Sequence, residues 1–441
     1  MYRKIALAAP AIWAVVTVLL LAPDPVWAAP RERVLHSFSA NDMKDGIAPV
    51  SRLVADAAGN IYGTTEDGGD FYDGTVFKLV SGANGKWKET IVHTFNFADG
   101  KGAFPIAGLT IDSKGNLYGT TSVSSGCGAD DCGNVFQLAP RGNGKWAFTV
   151  LHTFNGKDGD RPSAGVIFDS AGNLYGTTYY GGDRHVEPCD IGCGVVFRLA
   201  PGSNGEWTET VLHSFSFNDG FLPGDLLLDR RGNLYGATVG GGRGACSDGC
   251  GTVFKLAPRA DGRWTETVLH KFNQIDGATP FMNGGPVMDG AGSLYGTTRD
   301  GGNPAYCSAP GCGTVFKLSP TAGGKWREIL LHSFNYKDGA FPVSGVIFDE
   351  AGSLYGTAGR GGTKVLCDND TYTCGNVFKL TPGSNGRWTE TVLHNFRFND
   401  GGLPGGGLLR DAAGNLFGTT IEGGSTHICD NGCGVVFEIT P

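Results

Sequence analysis

One phrase recurs seven times along this chain and constrains its fold more than any other feature. Gly59-Asn60-Ile61-Tyr62-Gly63-Thr64-Thr65 is followed by equivalents starting at Gly115, Gly172, Gly232, Gly292, Gly352 and Gly414, spaced 56 to 62 residues apart. A period near 60 with strand-type content points to a propeller or a solenoid rather than to separate globular domains. The aromatic and aliphatic positions persist while the intervening loops vary, which excludes a low-complexity tract. With 73 glycines among 441 residues but no three-residue period, a collagen-like chain is excluded as well.

Four strands can be read in each unit. In the third, Gly165–Asp169 is short and mostly apolar, and Ser170-Ala171-Gly172 is a turn. Asn173–Thr178, Val195–Leu199 and Trp207–Phe215 then follow, separated by glycine-rich or Pro-Gly-Ser-Asn-Gly loops. Short β-branched or aromatic runs bounded by Gly, Pro, Asn or Asp are the signature of strands and turns. The fold class is therefore all-β, a seven-bladed β-propeller with four antiparallel strands per blade. The short first strand is expected near the axis and the longer fourth strand at the rim. Glycines inside the second strand, such as Gly176 and Gly236, are expected where an aromatic of the next blade packs on the backbone.

The two ends of the chain complement each other. Arg33–Phe38 reads as an orphan fourth strand, and the last unit stops after its third strand, Val435–Ile439. Pairing the two closes the ring, with the N-terminal strand completing the last blade; a right-handed β-helix needs no such ends. Ahead of this strand, Arg3 and Lys4 precede an apolar run from Ile5 to Ala22, and Val26-Trp27-Ala28 supplies a small-residue cleavage context. Residues 1–29 are expected to be a signal peptide and 30–441 a single propeller domain, soluble or partner-held, with no transmembrane span in the mature chain.

Twelve cysteines fall as Cys127/Cys132, Cys189/Cys193, Cys246/Cys250, Cys307/Cys312, Cys367/Cys374 and Cys429/Cys433, in the loop between second and third strands of blades two to seven. Their even number, matched placement and an export signal indicate local disulfides. Structural zinc is the rival, but the gaps of three to six residues and the absence of a repeated histidine beside them argue against it. Strand parity brings these loops to one face of the disc, together with seven Asp-Gly pairs that begin at Asp45, Asp99, Asp158, Asp219, Asp276, Asp338 and Asp400. Each pair is first a turn. Seven carboxylates on one face also offer a calcium-binding arrangement, and no other cofactor is expected.

Seven of the nine histidines, His36, His93, His152, His213, His270, His332 and His394, lie two residues before a phenylalanine in the fourth strand. A catalytic group is needed once per site and not once per blade, so these are read as structural, as are the tryptophans that open the same strands. The departures from the repeat carry more information. Tyr72, Tyr179, Tyr180, Tyr306 and Tyr372, with His185, Glu187 and His427, decorate loops on the stapled face and form a candidate binding surface. Catalytic residues cannot be assigned: the chain has no nucleophile elbow, no His-Glu-x-x-His and no phosphate-binding glycine loop.

The stretch Gly-Val-Ile-Phe-Asp-Ser-Ala-Gly-Asn-Leu-Tyr at 165–175 resembles NHL and SMP-30-like propeller repeats. The full unit joins Gly-Asn-Leu-Tyr-Gly-Thr-Thr, Gly-x-Val-Phe-x-Leu and Trp-x-x-x-Val-Leu-His-x-Phe, and it is more similar to the GloVer tandem-repeat proteins. That resemblance spans Arg33 to Pro441 and implies an exported bacterial protein, often with a surface anchor. The chain stops at Pro441 without a sorting tail, which implies release to the periplasm or medium. A formal net charge of −8 argues against nucleic acid or an anionic membrane as the main partner. The reading is a monomeric extracellular or periplasmic recognition module for glycans or cell-surface components. The alternative is a polysaccharide- or lactone-directed lyase or hydrolase with its site at the axial channel.

Overall fold

Each repeat folds into one four-stranded antiparallel sheet, and seven such sheets stand around an axis. The computed structural model describes residues 29–39, 44–125, 132–183, 188–242, 244–280, 284–308, 310–362, 366–368, 372–424, 429 and 431–441. Blade three consists of Ile167–Phe168, Leu174–Thr178, Val195–Pro201 and Trp207–Ser214, paired in sequence order. Blade seven takes Leu409–Arg410, Leu416–Glu422 and Val435–Thr440 from the C-terminal end. Its fourth strand is Arg31–Ser37, registered from Arg31 opposite Thr440 to Ser37 opposite Val435. The ring is thus closed by the N-terminal strand, as expected. Among the described residues no helix is long and apolar enough to cross a membrane.

The turn from first to second strand explains the repeated Asp-x-x-Gly-Asn phrase. Asp169 accepts the amides of Ala171 and Asn173 on one oxygen and the Asn173 amide group and Tyr175 hydroxyl on the other. Gly172 sits at φ 84°, where a side chain is disfavoured. Burial is the largest single effect on this carboxylate and works to raise its pKa, but the hydrogen bonds from Asn173, Tyr175 and Ala171 to the charged form together outweigh it and lower the pKa.

Packing between blades supplies the core. The largest fully buried side chains among the described residues are phenylalanines. Phe154, at the end of blade two, meets Phe197 of blade three edge-on at 5.0 Å, and the contact recurs around the ring. Each rim tryptophan reaches back to the second strand of the preceding blade, as Trp264 does to Tyr175 at 6.1 Å. At the closing strand Pro30 stands in the tryptophan's place, so the seam between blades six and seven lacks this contact.

The second-strand glycines behave differently from expectation. A Cβ on Gly236 would stand 2.5 Å from Cζ of Phe254, which is its direct cross-strand partner in the same blade, and 3.1 Å from Leu226, just ahead of the first strand. The ring that covers this glycine belongs to the blade's own third strand and not to the next blade. On the other side of the third strand, the fourth strand carries a β-bulge at Leu269, between the pairs Val253–His270 and Phe254–Val268, which re-aims the fourth strand at that point.

Candidate functional site

Among the described residues five disulfides are formed: Cys189–Cys193, Cys246–Cys250, Cys307–Cys312, Cys367–Cys374 and Cys429–Cys433. Cys127 lies outside the described residues, whereas Cys132 is fully buried. The second cysteine of each pair also joins two blades. Its carbonyl accepts the amide of the residue before the proline in the next blade: Arg161 to Cys132, Leu222 to Cys193, Thr279 to Cys250, Phe341 to Cys312, Leu403 to Cys374 and Ala48 to Cys433, at 2.9–3.3 Å. In blade one, which has no staple, Asp73 holds the cysteine's place and accepts Phe104 at 2.8 Å.

These seven pre-proline residues share a costly backbone. Ala48, Phe104, Arg161, Leu222, Thr279, Phe341 and Leu403 all have φ between 52° and 57°. Left-handed conformation is unfavourable for a non-glycine residue by roughly 1–3 kcal/mol, and such strain persists only where its surroundings over-determine it. Here the amide is held by the preceding blade. The carbonyl accepts the amide of the residue that follows the second strand of its own blade: Glu66 to Ala48, Ser122 to Phe104, Tyr179 to Arg161 and Gly359 to Phe341, at 3.0–3.1 Å.

The column fixed in this way is Glu66, Ser122, Tyr179, Val239, Arg299, Gly359 and Ile421, one residue per blade and each of a different type. Part of it opens on a cavity of about 240 Å³ at the axial mouth, walled by Val50, Ile106, Val343, Leu403 and Ile421. Glu66 and Tyr179 are its charged or hydroxyl-bearing side chains. Burial, and then the neighbouring Asp67, raise the Glu66 carboxyl above its usual range. Burial raises the Tyr179 hydroxyl as well, against a hydrogen bond with Ser163. Tyr180 continues the sector outwards, 6.2 Å from Phe221 and under the Arg161 guanidinium. Deeper along the axis, Asp225 is enclosed by protein yet keeps part of its surface accessible. Its oxygens accept the amides of Gly165 at 2.7 Å and Gly284 at 2.6 Å, and Arg52 of blade one draws on its charge. A larger hollow of about 820 Å³ lies between blades four and five, but residues of the repeated turns, such as Asp229 and Asn233, line it.

The structure divides the candidate binding surface. Tyr179 and Tyr180 come together at the axial mouth, while Tyr72 and Tyr306 are exposed away from that cavity, 46% and 53% accessible. His185, Glu187 and His427 lie outside the described residues, as does the side chain of Tyr372. Glu66 and Ile421 were missed by the sequence reading. Their signal was present as the one variable column directly after the repeated Gly-Thr-Thr.

The repeated histidines and Asp-Gly aspartates belong together. In six blades His Nε2 stands 3.2–3.4 Å from the aspartate carboxylate: His36/Asp45, His152/Asp158, His213/Asp219, His270/Asp276, His332/Asp338 and His394/Asp400. The same aspartates cap their turns, as Asp158 does with the Asn155 amide. A glutamate of the next fourth strand faces the pair, and burial first of all lifts Glu32, Glu209, Glu266, Glu328 and Glu390 to about 7. Blade two breaks the pattern: Phe148 replaces the glutamate and stacks on His93 at 4.3 Å, while Asp99 turns to Lys101. Burial drops His93 to about 4.

No curated protein matches the sequence. Among solved structures, an ancestral GH74 enzyme superposes with a TM-score of 0.57 at 13% identity, covering 90% of this chain and 49% of its own. A luciferin-regenerating enzyme gives 0.42 at 13% identity, over 94% and 96% of the two chains. A PQQ-bound aldose sugar dehydrogenase from Streptomyces coelicolor gives 0.43 at 12%, over 93% and 98%. At 13% identity the likeness to the ancestral GH74 enzyme extends to the fold alone. Residues 27–187 and 189–427 match the Gloeobacter/Verrucomicrobia repeat, and with nearly the whole chain covered, the protein belongs to that repeat family.

Proposed function

We propose that this protein is a non-catalytic recognition module that acts outside the cytoplasm and takes the end of a glycan or similar cell-surface group at its axial mouth. The observation that carries this reading is the mouth itself, with apolar walls, Glu66 and Tyr179 as polar groups, and backbone pinned through the stapled seams. A rigid site loses little freedom on binding. At about 240 Å³ the cavity is smaller than the ~300–1,000 Å³ of a pocket for a drug-sized ligand, so it suits a terminal unit more than an internal stretch of polymer. The disulfides fit an oxidising compartment, and residues 1–29 fit a cleaved export signal.

A glycan and polysaccharide array, run with and without calcium and followed by product analysis on each hit, tests the reading. Binding without turnover is expected, lost in Tyr179→Ala and weakened in Glu66→Gln. A second reading, lyase or hydrolase chemistry, draws on the raised carboxyl of Glu66, which favours the protonated form of a general acid. A defined product that disappears in Glu66→Gln would overturn the recognition reading in its favour.

A further inference from the structure

We propose that the closure seam holds a divalent transition metal of the zinc type, ligated by Glu32, His394 and Asp400. Among the described residues this is the one place where ligand atoms of three His, Cys, Asp or Glu residues lie within 4.8 Å of one another. One imidazole and two carboxylates form a donor set that zinc accepts, with a fourth position left for water, whereas calcium takes six to eight oxygens. Glu32 Oε1 and His394 Nε2 are shielded from solvent without a hydrogen-bond partner. His394 Nε2 stands 3.4 Å from Asp400 Oδ2. Tetrahedral ligands on zinc are about 3.3 Å apart, so a modest rotation of the Glu32 side chain completes the set. A cavity of about 490 Å³, lined by the three ligands together with Arg397 and Asn399, gives the metal access.

Three sister seams carry the same residue types but differ in one respect, whereas at the Asp219 seam Ser216 bonds only Oδ1 and the glutamate, histidine and aspartate do not fall within 4.8 Å of one another. At Asp158, Asp276 and Asp338 the second carboxylate oxygen accepts an asparagine side chain three residues earlier, at 2.7–3.0 Å. At Asp400 that position is Arg397, which donates only its backbone amide, to the other oxygen, at 2.6 Å. Oδ2 of Asp400 therefore stays turned to His394 and the cavity. The seam is also where reinforcement has most effect. Glu32 lies on the strand that closes the ring, His394 and Asp400 belong to blade six and its exit, and Pro30 stands where the other blades have the tryptophan that ties them. A metal here cross-links the first strand to the blade beside it.

Zinc ion alone, titrated into untagged, EDTA-treated protein, tests the site by calorimetry and by thermal melting. One ion per chain and a saturable rise in melting midpoint are expected. Glu32→Gln should weaken binding roughly tenfold or more and abolish the rise, without changing the midpoint in EDTA. Glu390→Gln, at the sister seam, should leave both readouts as in the parent. Absence of a zinc-dependent shift would overturn the proposal, as would unchanged binding in Glu32→Gln or several ions per chain lost through Glu390→Gln.

Discussion

Gly236→Ala adds one methyl group where the blade has no room for it. The new Cβ would stand 2.5 Å and 2.9 Å from the Phe254 ring, and on the opposite side 3.1 Å from Leu226. The ring cannot withdraw, because Phe254 is fully buried and Phe215 of the preceding seam meets it edge-on at 5.0 Å. Forcing a methyl into a well-packed core costs about 1–3 kcal/mol, and two opposed contacts place this case towards the upper end. Gly290→Ala is the control, since nothing lies within 4 Å of its Cβ position and its φ is not left-handed; it should stay within about 0.5 kcal/mol of the parent. Equilibrium guanidinium unfolding with the disulfides intact gives both values. Phe254→Leu removes the offending ring, so the double variant should be more stable than the two single losses predict, by about 1 kcal/mol or more. A Gly236→Ala protein as stable as the Gly290→Ala control, or a strictly additive double variant, would refute the account of why this glycine recurs.

Two further outcomes follow from the seams. Phe148→Glu restores the residue found in the other blades and should lift the His93 pKa well above about 4, read by NMR titration of the imidazole. In the parent the folded pKa lies below the unfolded one, so the unfolded chain binds the proton first. Stability is lost as the pH falls from about 6.5 towards 4, and Phe148→Glu should flatten that loss; an unchanged profile would sink the assignment. Replacing Cys246 and Cys250 by serine reopens a five-residue loop and should cost about 2 kcal/mol. Because Cys250 accepts the Thr279 amide, hydrogen exchange at Thr279 in the next blade should accelerate in the same variant, and protection there equal to the parent's would show that the staple does not reach across the seam.

Much of this molecule was legible in its residues because the repeat states each local rule seven times. The blade count, the complementary ends, the paired cysteines and the structural character of the histidines all follow from position within the unit. The partners of those residues did not follow. His213 is local in sequence to Asp219, yet the Glu266 that faces the pair lies in the next blade, and only radial packing brings them together. The second-strand glycine was assigned to an aromatic of the neighbouring blade because spacing cannot distinguish that ring from the cross-strand Phe254. The left-handed pre-proline residues left no mark at all, since Ala48, Phe104, Arg161 and Leu222 share no side-chain chemistry.

Sequence by itself determined the fold, because strand periodicity and turn residues act over a few positions and are insensitive to where the other blades lie. Tertiary structure decided the site. Glu66 and Tyr179 are separated by more than a hundred residues and occupy one column of a repeat in which every blade offers something different. They meet at one mouth because seven blades close on a common axis. Their backbone is held there by hydrogen bonds from loops that the preceding blades staple in place.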